Sequence, residues 1–285
     1  MVAKKIIELT KQRRTILLLS SKRSGSTAIF KAFCKHPQVN ISHLNQNIGN
    51  WEPNFWNLAV DAIQGNRREF EERLTLSLGL SKFPTHYDND SVFSIWDQVL
   101  EKFGPIVFDK SPQYLRRKEA LQLLMEYQKA DNDVRIIALI RDPKDVIASQ
   151  YAHWNNLVSN DSPEFRERQW LIDYLNLKDL REIYDVPMFR YEDVANYPET
   201  NFDRIYKHLG IDYDELTFSH IRPVNTGRFY KTKDEKLQRW KFTSEFQRRL
   251  EVLGYSQEDY NQHHARNKTT SQTWVAVKGF LKRFE

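Results

Sequence analysis

At 285 residues, with 40% hydrophobic, 13% aromatic and 28% charged residues, the chain has the make-up of a globular protein, which excludes a disordered or fibrous one. A net charge of +5 suits an anionic ligand, but 43 basic residues scattered among 38 acidic ones do not form the stripe that a nucleic-acid-binding protein displays. The one cysteine, Cys34, excludes an intrachain disulfide and a cysteine-based zinc site, so packing must hold the fold and a reducing cytoplasm is the expected compartment.

The segment 1–14 is basic and lacks the apolar run of a secretory signal. No stretch approaches the roughly 20 apolar residues of a membrane span, so a soluble protein with no transmembrane segment is expected. Apolar runs rich in β-branched residues predict strands at 15–20, 106–109, 134–140 and 186–191, each followed by a helical pattern, and 39–43 predicts a short further strand. Helices are predicted over 26–35, 114–129, 143–154, 201–209 and 233–253. This alternation predicts an α/β fold, a P-loop-like parallel β-sheet flanked by helices, in one domain over 1–285 with its core at 15–255. The segment 51–103 interrupts the alternation as a helical insertion. Its aromatics Trp51, Phe55, Trp56, Phe83, Tyr87, Phe93 and Trp96 read first as core and second as the wall of an acceptor pocket. The tail 271–285 reads as an amphipathic helix docked on its own domain.

Between the first strand and first helix lies Ser21-Lys22-Arg23-Ser24-Gly25. A tight loop running into a helix start presents unpaired N–H groups and the positive end of the dipole to an anion. Gly25 lets the backbone approach, Ser24, Ser26 and Thr27 add hydroxyls, and Arg23 adds charge. A kinase or ATPase loop, G-x-x-x-x-G-K-[ST], would place a glycine at Ser20 and a lysine at Ser26. The shape is kept without the lysine that neutralises a γ-phosphate, which points to a different nucleotide.

A second anion site is predicted where the strand at 134–140 meets Arg141-Asp142-Pro143. Asp142 suits an N-cap and Pro143 the first helical turn. Arg141 then projects from a strand's carboxyl end, where open α/β sheets bind ligands, and Ser149 follows about two turns along the helix. Arg141 pairing with a neighbouring carboxylate is the competing reading.

With both motifs in hand, the chain resembles the sulfotransferases that use 3'-phosphoadenosine 5'-phosphosulfate (PAPS). Arg23-Ser24-Gly25-Ser26-Thr27 is similar to that family's 5'-phosphosulfate loop, and Arg141 with Ser149 in R-D-P-x-D-x-x-x-S is similar to its 3'-phosphate motif. Lys110-Ser111-Pro112, Tyr191-Glu192-Asp193 and Leu237-Gln238-Arg239-Trp240 are further echoes. The likeness is closer to the tyrosylprotein, carbohydrate and bacterial branches than to the cytosolic steroid and phenol enzymes, where a lysine and a tryptophan are expected and Arg23 and Ala28 stand here.

The resemblance implies in-line attack on sulfur by an acceptor hydroxyl or amine, with the product PAP (3'-phosphoadenosine 5'-phosphate) leaving and no metal involved. Arg23 and Lys110 would stabilise the leaving oxygen, and Tyr191, Arg228 and Arg239 would touch the nucleotide. Relatives commonly carry the catalytic base, a glutamate, where His43 stands here; a neutral imidazole can serve, with Glu52 and Asp109 behind it as candidates. The pair His263-His264 lacks the partners of a metal site and reads as surface. A small-molecule or glycan acceptor is expected, with sugar, lipid, peptide and small alcohol all open and a ring-bearing one favoured by the aromatic insertion. Two alternatives stay open: a P-loop kinase or NTPase, and a phosphoadenosine-binding protein without catalysis.

Overall fold

The computed structural model describes residues 13–41, 54–130, 132–154, 162–221, 235–252 and 255. Their contacts gather into two units, one of Met1–Arg141 with Ile172–Ile221 and one of Asp142–Leu171 with Arg222–Glu285.

The first unit is built on a parallel sheet. Strands β1 (Arg14–Ser20), β2 (Asn40–Ile41), β3 (Ile106–Lys110), β4 (Asp133–Ile140) and β5 (Met188–Arg190) lie in the order β2-β3-β1-β4-β5. Strand β1 is central, with β3 and β4 paired to its edges, and it is buried on both faces, so Ile16-Leu17-Leu18-Leu19 runs without a polar break. Alternation then sorts side chains between the faces. On one face Ile16, Leu18, Phe108, Ile137 and Leu139 pack with Ile29, Phe30 and Phe33 of α1 (Ser26–Phe33) and with Phe202, Ile205 and Tyr206 further along the chain.

The other face receives the segment between β2 and β3, which contains α2 (Phe55–Ile63), α3 (Arg68–Leu78) and α4 (Asn89–Phe103). Trp96 of α4 reaches the sheet and donates its indole N–H to Thr15 Oγ1 at 2.8 Å. Phe55 lies 4.6 Å and Trp56 5.2 Å from Trp96, centroid to centroid. Phe70 and Tyr87 extend the cluster, and all five rings are buried. These five rings are core, the first of the two readings, whereas Phe83 and Phe93 are only half-buried. Trp51 lies outside the described residues.

A single 3-10 turn (Tyr114–Arg116) and α5 (Lys118–Lys129) follow β3, so the predicted helix at 114–129 starts four residues later than its periodicity indicates. Past β4 come α6 (Pro143–Trp154) and α7 (Pro163–Ile183), and past β5 come α8 (Tyr191–Asn196), α9 (Pro198–Leu209) and α10 (Glu215–Phe218). Tyr191, predicted as the last strand residue, opens α8 instead.

In the second unit Asp142 caps α6, its carboxylate accepting the Lys144 N–H at 2.8 Å, as the sequence predicts. Ile147, Ala148 and Tyr151 of α6 pack with Leu237 of α11 (Glu235–Arg239) and with Trp240 and Phe242. The predicted helix over 233–253 is two helices, α11 and α12 (Ser244–Val252). Thr243 between them donates its hydroxyl to Glu167 at 2.6 Å.

Helix α7 has no counterpart in the sequence reading. Its buried positions Arg166, Glu167, Trp170, Asp173, Leu177 and Leu180 follow helical spacing, but three of them are charged, which hides the apolar stripe on which periodicity depends.

Candidate active site

The site is assembled at the carboxyl ends of β1, β3, β4 and β5. After Ser20 the chain turns tightly, with the Ser24 N–H donating to the Ser21 carbonyl at 3.3 Å and the hydroxyls of Ser21 and Ser24 paired at 2.5 Å. Arg23 takes the left-handed conformation at φ 71°, and Gly25 follows at φ 93° as the N-cap of α1. Left-handed residues in such a turn fold the amides into a concave nest. No side chain caps α1, and the first intrahelical bonds begin with Ala28 N–H to Gly25 O at 2.9 Å. The Ser26 and Thr27 amides at the helix start have no intrahelical acceptor. Ser24 and Ser26 are buried and Thr27 is exposed.

Gly25 is required twice over. Its φ favours glycine, and a Cβ there would fall on the ring carbons of Tyr191. Tyr191 sits at the carboxyl end of β5, and the Arg141 guanidinium, at the end of β4, lies over its ring, 5.0 Å from the centroid. Arg141 Nη1 also donates to the Arg23 carbonyl at 3.2 Å, although Arg141 and Arg23 belong to separate motifs in the sequence. The structure thus brings Arg23, Ser24, Gly25, Arg141 and Tyr191 together.

At the end of β3, neighbouring residues face opposite ways. Lys110 is buried on the α1 face, its Nζ 5.7 Å from the centre of the Phe30 ring. Asp109 is fully enclosed on the other face, where Tyr114 donates to its Oδ2 at 2.7 Å and Oδ1 has no partner. Burial pushes the Asp109 carboxyl from the ordinary 3.8 up to about 7, against the lowering effect of the Tyr114 hydrogen bond.

The remaining predicted residues stand elsewhere. Ser149 lies within α6 with its side chain buried. Arg239 ends α11, exposed and paired with Glu235 at 3.1 Å. His43, Glu52, Arg228, His263 and His264 lie outside the described residues, as does 271–285.

One arrangement escaped the sequence reading. Asp173 of α7 is buried and receives Arg116 through two bonds of 2.7 and 3.1 Å, while Lys22 of the loop exerts a further attraction on it. Burial raises the Asp173 carboxyl above its usual range, with Arg116 and then Lys22 pulling the other way. The signal lay in Asp173 standing three residues after Trp170 and four before Leu177, on the buried line of the helix.

Among the described residues no helix is long and apolar enough to cross a membrane, and no cluster of His, Cys, Asp or Glu is placed to hold a metal ion.

A five-stranded parallel sheet flanked by helices, with a nest-like loop after its central strand, defines the class, an α/β protein. The family model described as the Sulfotransferase family matches residues 15–215, well over half of the chain, and the protein belongs to that family of transferases. Among solved structures, the sulfotransferase domain from the curacin biosynthetic pathway is 19% identical, with 85% of this chain and 97% of that one covered at a TM-score of 0.54. Sulfotransferase STF9 from Mycobacterium avium is 15% identical, with 88% and 78% covered at a TM-score of 0.50. At these identities the likeness establishes the fold alone. No curated protein matches the sequence.

Proposed function

We propose that the protein moves a sulfuryl group from PAPS to a hydroxyl or amine of a small-molecule or glycan acceptor. The observation that carries this reading is the Arg141 guanidinium resting against the backbone of the Arg23 loop, because it puts the cation of one phosphate motif beside the anion nest of the other. A donor with a phosphate at each end of one ribose needs two such positions close together. The Arg141 guanidinium beside a loop of left-handed turns and an uncapped helix N-terminus suits a phosphate-bearing ligand.

On this reading the loop amides and Arg23 bind the 5'-phosphosulfate and Arg141 the 3'-phosphate. The acceptor oxygen or nitrogen forms a bond to sulfur as the bond from sulfur to the bridging phosphate oxygen breaks. Lys110 and Arg23 stabilise the charge left on that oxygen, and the acceptor's proton passes to the base. His43 is the base we favour. Asp109 ranks behind it because an enclosed carboxyl that already accepts from Tyr114 has no path to an acceptor. Ser149, Tyr191, Arg228 and Arg239 keep the nucleotide contacts that the motifs imply.

Calorimetric titration of the protein with PAP and with ATP plus magnesium, repeated on Arg141→Ala, tests the reading. Tight binding of PAP, weak binding of ATP and a large loss in the variant are expected. Preference for ATP, or indifference to Arg141, would overturn it in favour of a kinase-like protein.

A further inference from the structure

Resting on the PAPS reading, we propose that Tyr191 is a positioning residue that couples the two phosphate positions, so that an anion at Arg141 orders the loop that receives the other. Three contacts carry the inference. The Tyr191 ring packs directly on Gly25, at the hinge between loop and helix. The same ring supports the Arg141 guanidinium, 5.0 Å from its centroid. That guanidinium donates to the carbonyl of Arg23, the non-glycine residue held at φ 71°.

A left-handed arginine is an unfavourable conformer that persists only where its surroundings hold it. Here the surroundings are a charge-assisted hydrogen bond from Arg141 and a ring beneath that fixes where Arg141 lies. An anion bound by Arg141 takes freedom from the guanidinium while leaving it on the ring, which strengthens its hold on Arg23 and keeps the loop amides turned inward. By linkage an anion in the loop tightens the Arg141 position by the same factor. The 3'-phosphate would then prepare the transfer site besides adding affinity.

Amide hydrogen exchange across residues 20–28 separates this coupling from simple binding. Adenosine 3'-monophosphate, which has no 5' phosphate, is added at a saturating level set by calorimetry, with adenosine alone as the control. Exchange in the loop is expected to slow at least about fivefold with adenosine 3'-monophosphate and to stay unchanged with adenosine. Tyr191→Phe, which keeps the ring, should preserve the slowing, and Tyr191→Leu should abolish it even when adenosine 3'-monophosphate is raised to saturate the variant's own, weaker site. Binding to the native protein without protection of the loop overturns the coupling and leaves the donor reading standing, whatever the variants do. Undiminished protection in Tyr191→Leu removes Tyr191 from it. Failure of both PAP and adenosine 3'-monophosphate to bind overturns the donor reading and the coupling with it.

Discussion

The loop after β1 and the helical segment between β2 and β3 both bury side chains against the same sheet, and they do it with opposite chemistry. The helical segment buries rings: Phe55, Trp56, Phe70, Tyr87 and Trp96 touch one another, and Trp96 meets a hydroxyl on β1. The loop buries polar groups, Ser21 and Ser24 among them, with Arg141 drawn in beside it and Lys110 buried at the end of β3. Apolar packing has no further use for its surface, whereas the loop gathers hydroxyls and amides beside a guanidinium. The first region stabilises the fold, and in the proposed function the second receives the donor.

Substitutions in each region should separate those roles. The largest effect is expected for Trp96→Ala, which empties a core position and strands the Thr15 hydroxyl. Urea denaturation should show a loss of about 3–5 kcal/mol, while PAP affinity of the folded protein stays near that of the native chain. Arg141→Ala should do the reverse, lowering PAP affinity roughly 100-fold by calorimetry, the value of a charge-assisted contact of nearly 3 kcal/mol. Gly25→Ala breaks the division, because it strains the loop and presses on Tyr191 together. A stability loss of about 1–2 kcal/mol from the backbone alone, accompanied by weakened PAP binding, is expected from melting curves and titration.

The smallest effect sharpens the contrast within one strand. Asp109 in the native state holds a proton up to about pH 7 that the unfolded chain gives up near 3.8, so this carboxyl makes stability fall as pH rises across that window. Asp109→Asn should remove that slope, leaving the variant more stable than the native protein at pH 8, with no such gain below pH 4. A parallel pH slope in both proteins would mean that Asp109 ionises normally.

The sequence disclosed what depends on near neighbours. The apolar run of β1, the tight turn into α1 at Gly25 and the Asp142 cap on α6 all follow from residues a few places apart. What it concealed depends on distance or on charge. Nothing near Gly25 announces that Tyr191 will lie on it, or that Arg141 will bond to Arg23, since the sheet order makes both meetings. Helix α7 stayed hidden because Arg166, Glu167 and Asp173 occupy its buried line, and Asp173 is satisfied there by Arg116 from the turn after β3. Residues 233–253 looked like one helix because Lys241-Phe242-Thr243 carries no glycine or proline, yet the backbone leaves helical form there and Glu167 holds Thr243.

The opposed directions of Asp109 and Lys110 make the register of β3 an electrostatic matter. Side chains alternate with a period of two, so sliding β3 by a single residue would bring either Asp109 opposite Leu18 or Lys110 opposite Leu17, according to its direction. One slip puts a carboxylate where the lysine faces α1, and the other puts an ammonium where Asp109 is enclosed. The first slip would reverse the charge on the α1 face with no residue of the sequence changed. The second would carry a buried cation into an enclosed site, so a single folding error carries its own penalty in stability.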